Sequence, residues 1–291
     1  MMQVSKAIIP VAGFGTRFLP VAKSIPKEML PILDKPIVQF VVEELVEAGI
    51  KDIIFVTSGY KKAIEDYFNP HFELEYLLGV KGKTDELKQI KRLSNLANLV
   101  FIRQKEIAGN GDAILTAQPA VGDEPFLAFW GDDLVVAKPS RTQQLIKAFE
   151  RYNATILGCF RTENPEDGGK CGFVTGTQIA KRVMKVKDLV EKPGIGKAPS
   201  SWVAKSGNLF TPEIFISLRE AQKKIRGQRE LTYIDGLNEL KKKQSVYALE
   251  LEAQYYDTGD KLEYLKTVVE FGIKNKEFGE EFGKYIKKLQ D

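Results

Sequence analysis

Five short runs of apolar, largely β-branched residues, at 7–11, 53–57, 99–102, 126–129 and 154–160, recur along the first half of the chain, with stretches of helical periodicity such as PIVQFVVEELVEAG between them. Runs of this length are buried as strands, and their alternation with helices predicts an α/β fold with a mostly parallel central sheet and helices on both faces. Ligands of such sheets bind beyond the carboxyl ends of the strands, so chemistry is expected in the loops that follow them. From about residue 171 the texture changes to shorter strands around 171–175, 182–190 and 202–210, then a helix near 230–243. A charged helical tail starts at Lys261. We read one domain over 1–291, divided into 1–170, 171–260 and a tail over 261–291 that is a candidate oligomer contact.

Composition narrows the ligand. With 43% apolar residues in 291, the chain can build a sizeable core. The net charge of +4 arises from 43 basic and 39 acidic residues spread throughout, without the basic arm of a nucleic-acid binder, so small anionic ligands are favoured. MMQVSKAIIPVAG runs directly into a strand pattern, so no signal peptide or membrane span is expected, and the cytoplasm is the expected location. Cys159 and Cys171 form no CxxC motif and are expected to be reduced and structural.

After the first strand comes VAGFGTRFLP, where Gly13 and Gly15 allow close backbone approach to a phosphate and Arg17 adds a fixed cation. A dinucleotide fold is disfavoured: Phe18 replaces the third glycine of G-x-G-x-x-G, and the second strand ends in VTSG without an acidic ribose ligand. PKEMLPILDKP then places Lys27 in a proline-bounded loop, stiffly held if it belongs to the site and a solvated lysine if it does not. LAFWGDDLVV puts Asp132 and Asp133 just past a buried strand, on the side where ligands bind. In QKEIAGNGDAI, Gln104 carries an amide that both donates and accepts, ahead of a glycine turn that opens a helix.

The segments AGFGTRFLP and SIPKEMLPILDKPIVQFVVEELVEAGI resemble the bacterial UTP:glucose-1-phosphate uridylyltransferases, and the likeness continues in order through FELEYLL, QKEIAGNGDAI, GDD, VEKP, APS, FTPEIF and YYDTGDKLEYLK. The resemblance implies a Rossmann-like nucleotidyltransferase fold, transfer of UMP from UTP to glucose 1-phosphate with release of pyrophosphate, Mg²⁺ dependence, and a homodimer or homotetramer. It assigns 1–170 mainly to the nucleotide and 171–260 mainly to the sugar phosphate. It implies that Asp132 and Asp257 hold the metal, that Ala12, Gly13, Gln104 and Gly109 contact uracil, and that Gly15 and Thr16 belong to the nucleotide loop. Arg17, Lys27 and Lys192 are then the catalytic cations, with Gly172, Glu191 and Lys192 on the sugar phosphate. Two carboxylates completed by phosphate oxygens are a ligand set that suits Mg²⁺.

An ionised sugar phosphate needs no general base, in keeping with a single histidine, His71, which reads as structural. Three departures from the family stand out: GNGDA in place of GLGHA, SGN around Gly207 and Asn208 in place of GRY, and ELTYIDG from Glu230 in place of EIQLTDA. The second is expected near the sugar pocket, which leaves another hexose open. A dTTP- or ATP-using relative and a catalytically silent homologue are the competing readings.

Overall fold

A computed structural model describes residues 3–289. Nine strands make the central sheet: β1 (Lys6–Pro10), β2 (Asp52–Thr57), β3 (Asn98–Arg103), β4 (Phe126–Ala128), β5 (Thr155–Arg161), β6 (Gly172–Ala180), β7 (Val183–Glu191), β8 (Trp202–Phe210) and β9 (Val246–Glu250). Their spatial order is β3-β2-β1-β4-β8-β5-β9-β7-β6. β7 and β8 run against every strand they pair with, while the other seven share one direction, so the sheet is mostly parallel.

Alternation along the strands divides two apolar layers. Ala7, Ile9, Ile53, Phe55 and Leu127 pack with Val38, Val41, Val42 and Leu45 of helix α1 (Ile37–Glu47), with Ile64 and Phe68 of α2 (Lys62–Phe68), and with a helix over Arg141–Tyr152. Ile8, Ile54, Phe126 and Ala128 face the opposite way, towards helices over Asn110–Val121, Glu213–Ile225 and Tyr233–Leu240. Each fully buried side chain of this kind contributes roughly 1.5–3 kcal/mol, which is why continuous apolar runs fix the layer order. α3 (Phe72–Val80) and α4 (Thr84–Ser94) follow α2, and the helices already placed by range are α5 (Asn110–Val121), α6 (Arg141–Tyr152), α7 (Glu213–Ile225) and α8 (Tyr233–Leu240).

The tail forms α9 (Lys261–Ile273) and α10 (Gly279–Lys288). α9 braces the loop after β1: the Tyr264 ring meets Phe18 edge-on at 5.8 Å between centroids, and its hydroxyl donates to Pro31 O at 2.8 Å. Among the described residues no helix is long and apolar enough to cross a membrane.

Candidate active site

One cavity of about 600 Å³ opens beyond the carboxyl ends of β1, β3 and β4. It is lined by every residue the sequence singled out for substrate or metal: Ala12, Gly13, Gly15, Thr16, Arg17, Lys27, Gln104, Gly109, Asp132, Gly172, Glu191, Lys192 and Asp257. Gly207 and Asn208 are a correction. Expected near the sugar, they lie behind the wall, with Gly207 packed against the Phe129 ring and Asn208 buried in ladder register with Ala128 and Leu157. The residue of that segment that reaches the cavity is Ser206, beside Lys205.

At the phosphate loop, Gly15 takes φ +65°, a left-handed conformation that a side chain would strain, and a Cβ there would lie 3.4 Å from Ala22 and Lys27. A side chain at Gly13 would meet no protein atom within 4 Å, so the backbone there is open to a ligand. Lys27 begins a short 3₁₀ turn after Pro26, and its ammonium donates to Asp132 Oδ2 at 2.6 Å. Burial lowers the Lys27 pKa, but Asp132 and then Glu28 outweigh it, and the net effect holds this lysine well above the usual lysine range. Glu28, which sequence reasoning passed over, is 1% exposed and accepts from Lys61 Nζ at 2.8 Å. Burial pushes its pKa up, opposed by Lys61 and Lys27. The pair anchors the turn that presents Lys27.

Asp132 and Asp257 are far apart in sequence and meet through a two-stranded ladder in which Asp133–Val136 runs antiparallel to Gln254–Asp257, with Asp257 opposite Asp133. Gly259 sits between them: a Cβ there would lie 2.8 Å from Asp132 Oδ2 and 3.3 Å from Asp257 Oδ1, so both carboxylates face a space that only glycine leaves open. Arg17 donates to Gly259 O at 3.4 Å and stands at the same spot. Among the described residues no group of three or more His, Cys, Asp or Glu could hold a metal alone. The donor set therefore fits a hard dication that takes its remaining ligands from phosphate and water. Asp257 is held above the usual aspartate range, first by burial and with a further push from Asp132, against the pull of Lys205. Asp133 points inward: Oδ1 accepts from Tyr255 at 2.9 Å, Oδ2 is buried without a partner, and burial with the Asp132 charge pushes its pKa up to about 7.

At the opposite end, Gln104 is buried beneath Gly109, whose φ of +106° lets the chain pass the Leu231 carbonyl where a Cβ would collide at 2.3 Å. Gln104 Nε2 donates to Asp112 Oδ2 at 2.7 Å. A carboxylate accepts only, so Asp112 fixes the amide with its NH₂ inward and its oxygen available. The departures GNGDA and ELTYIDG interlock here: Asn110 Oδ1 accepts from Tyr233 N at 2.8 Å, and Thr232 with Asp235 forms the capping box of α8.

On the third wall Gly172 lies against Ile234 and Glu191, and a Cβ would sit 3.1 Å from Glu191 Oε2. Glu191 is held above the usual range by burial, partly offset by Lys192. Lys192 adopts φ +45°, unusual outside glycine, and stands exposed at 58% of its side chain. His71 lies away from all this, accepting from Leu74 N at 3.2 Å as the N-cap of α3, which is the structural role its sequence context suggested.

The fold and this cavity define a nucleotidyltransferase. Residues 6–271 match the nucleotidyl transferase family, and the chain belongs to it. It is 43% identical to the UTP–glucose-1-phosphate uridylyltransferase of Bacillus subtilis over 289 residues, 99% of this chain and 98% of that one. A second such enzyme, from Staphylococcus saprophyticus, is 42% identical over 290 residues, 100% of this chain and 99% of its own. Among solved structures, a UTP-bound UGPase from Acinetobacter baumannii matches with TM-score 0.89 and 32% identity, covering 99% of this chain and 100% of that one. A UDP-glucose pyrophosphorylase complexed with UDP-glucose matches with TM-score 0.84 and 33% identity, covering 94% and 100%. Enzymes of this family generally use a divalent metal.

Proposed function

We propose that the chain transfers UMP from UTP to glucose 1-phosphate, yielding UDP-glucose and pyrophosphate, with Mg²⁺ as its metal and as a homodimer or homotetramer in the cytoplasm. The observation that carries this reading is the end-to-end likeness to uridylyltransferases together with one cavity that joins an oriented amide, a glycine phosphate loop and two converging carboxylates.

Gln104, its NH₂ tied to Asp112, presents Oε1 to the N3–H of uracil. Cytosine offers a lone pair at that position, so it would set acceptor against acceptor. Gly13 and Gly15 let the triphosphate lie on the backbone, while Arg17 and Lys27 balance its charge. Glu191 meets the hexose hydroxyls and Lys192 its phosphate. A phosphate oxygen of the sugar then attacks the α-phosphorus in line. The new O–P bond forms as the bond to the β-phosphate oxygen breaks, and pyrophosphate carries the charge away. The nucleophile is ionised at neutral pH, so the chain contributes position and charge rather than a base. Mg²⁺ held by Asp132 and Asp257 would neutralise charge on the phosphates that the two substrates bring together.

The test is ³¹P NMR of the purified protein with UTP, glucose 1-phosphate and MgCl₂. We expect UDP-glucose and pyrophosphate to rise in equal amounts and neither to appear in EDTA. Release of inorganic phosphate instead of pyrophosphate would contradict the reading.

A further inference from the structure

The inner part of β8 breaks strand geometry in a way that bears on the cavity. Its ladder with β5 is regular at Ala204, opposite Cys159, and again at Asn208, opposite Leu157. Lys205, Ser206 and Gly207 therefore stand against the single residue Gly158. In a regular strand successive side chains alternate between faces. Here Ala204, Lys205 and Ser206 are consecutive and all line the same cavity.

The bulge is built, not loose. Gly158 makes room for it, since a Cβ there would lie 2.6 Å from Gly207 O. Ser206 and Gly207 take φ of +79° and +91°, and a Cβ on Gly207 would strike the Phe129 ring at 2.3 Å. Arg141 locks it from behind: Nη1 donates to Ser206 O at 3.0 Å and to Ser206 Oγ at 2.9 Å, while the guanidinium stacks on Phe129 at 3.7 Å. Glu44 of α1 holds the other side of Arg141, accepting from Nη2 at 2.7 Å. Bulges beside active sites re-aim side chains, and the side chain re-aimed here is Lys205.

Its surroundings state the purpose. Lys205 Nζ lies 3.6 Å from Asp167 and 5.3 Å from the centre of the Tyr255 ring. Its side chain is only 20% exposed, against 58% for Lys192. Cys171 and Asp257, which share its charge environment, and Tyr255 line the same cavity as Asp132, Gly172 and Glu191.

We infer that Lys205, presented by this bulge, is a further substrate-binding cation of the site and contacts the phosphate of the sugar 1-phosphate where that phosphate enters between Asp257 and Glu191. The inference rests on the proposed reaction and adds a residue to it. A partly desolvated ammonium fixed in place binds an anion more strongly than an exposed, mobile one, because less charge screening and less side-chain ordering stand against it.

The experiment compares wild type with Lys205→Met and Lys205→Arg, measuring kcat and KM for each substrate at saturating partner, and binding of glucose 1-phosphate by calorimetry in the presence of Mg²⁺. Wild-type turnover is read first, so failure of the proposed reaction is seen independently of the lysine. Lys205→Met is expected to raise KM and Kd for glucose 1-phosphate on the order of tenfold to a hundredfold while KM for UTP stays within about threefold. Lys205→Arg, which keeps the charge, should recover most of that affinity. Calorimetry with inorganic phosphate as probe should show the same loss in Lys205→Met if the contact is to phosphate rather than to the hexose. A change in both KM values by the same factor, or no change beyond twofold, overturns the inference. So does a weakened glucose 1-phosphate affinity that Lys205→Arg fails to restore, since that outcome marks a packing role. A melting temperature for each variant shows that folded protein was compared.

Discussion

Gly259→Ala tests the metal assignment without removing a single charge. The residue is buried and lacks a positive φ, so the backbone accepts alanine, and the smaller freedom of the unfolded chain should favour the variant by roughly 0.4–1 kcal/mol. The added Cβ would lie 2.8 Å from Asp132 Oδ2 and 3.3 Å from Asp257 Oδ1. Asp132 Oδ2 ends a side chain, so it can withdraw by roughly half an ångström to reach ordinary contact. That movement is cheap for folding and would be expensive for a bound Mg²⁺, an ion that demands near-ideal octahedral geometry at about 2.1 Å. Displacing a ligand by this amount should weaken metal affinity roughly 10- to 100-fold, the range seen when a supporting contact to a metal ligand is lost. Rates measured across a MgCl₂ titration should show the half-maximal concentration rising by that factor, with the melting temperature in EDTA within a few degrees of wild type. An unchanged Mg²⁺ dependence would falsify the claim that the space between these two carboxylates holds the ion.

Asp257→Asn and Asp132→Asn should each lower turnover about a hundredfold or more at limiting Mg²⁺ while leaving the protein folded, and near-normal rates in either would exclude paired ligation. Asp112→Asn frees the Gln104 amide to rotate, because an asparagine can face it with either an acceptor or a donor; the preference for UTP over CTP should fall roughly tenfold, and unchanged selectivity would show that Asp112 does not orient the reader. Asp133 is pushed up to about 7, first by burial and then by Asp132, so the folded chain holds this proton to a higher pH than the unfolded one. Its contribution to stability is therefore full below about pH 4 and is lost as pH rises towards 7. In EDTA, Asp133→Asn should melt above wild type at pH 8, with the gap closing as pH falls below 7; a gap that is constant or widens towards acid would contradict this.

The first half of the fold was legible where its strands β1, β2 and β4 are buried on both faces. The apolar runs at 53–57 and 126–129 mark Asp52–Thr57 and Phe126–Ala128 to within a residue or so, since burial on both sides leaves no polar alternation to blur them. The loops after β1, β3 and β4 then carried Gly13, Gly15, Gln104 and Asp132 into one cavity. The far side was less legible. Strand β9 pairs parallel with β5 across more than eighty residues, and the ladder that sets Asp257 opposite Asp133 leaves no local signature; only resemblance joined those carboxylates in the sequence. Lys205 could not be found at all from strand period, because a bulge moves a side chain from one face to the other and its causes, Gly158, Arg141 and Glu44, are scattered along the chain. The same bulge sets Gly207 and Asn208, expected near the sugar pocket, behind the cavity wall.

Pyrophosphate release across UTP, dTTP, CTP and ATP, each with glucose, galactose and N-acetylglucosamine 1-phosphates, shows which substrates this cavity joins. The highest kcat/KM should belong to UTP with glucose 1-phosphate, with dTTP next because thymine keeps the N3–H that Gln104 would read. ATP should be at least tenfold poorer, since a purine leaves buried polar groups unpaired at roughly 1–3 kcal/mol each. A higher kcat/KM for ATP, CTP or dTTP than for UTP would contradict the account at the nucleotide, and a better partner than glucose 1-phosphate would contradict it at the sugar.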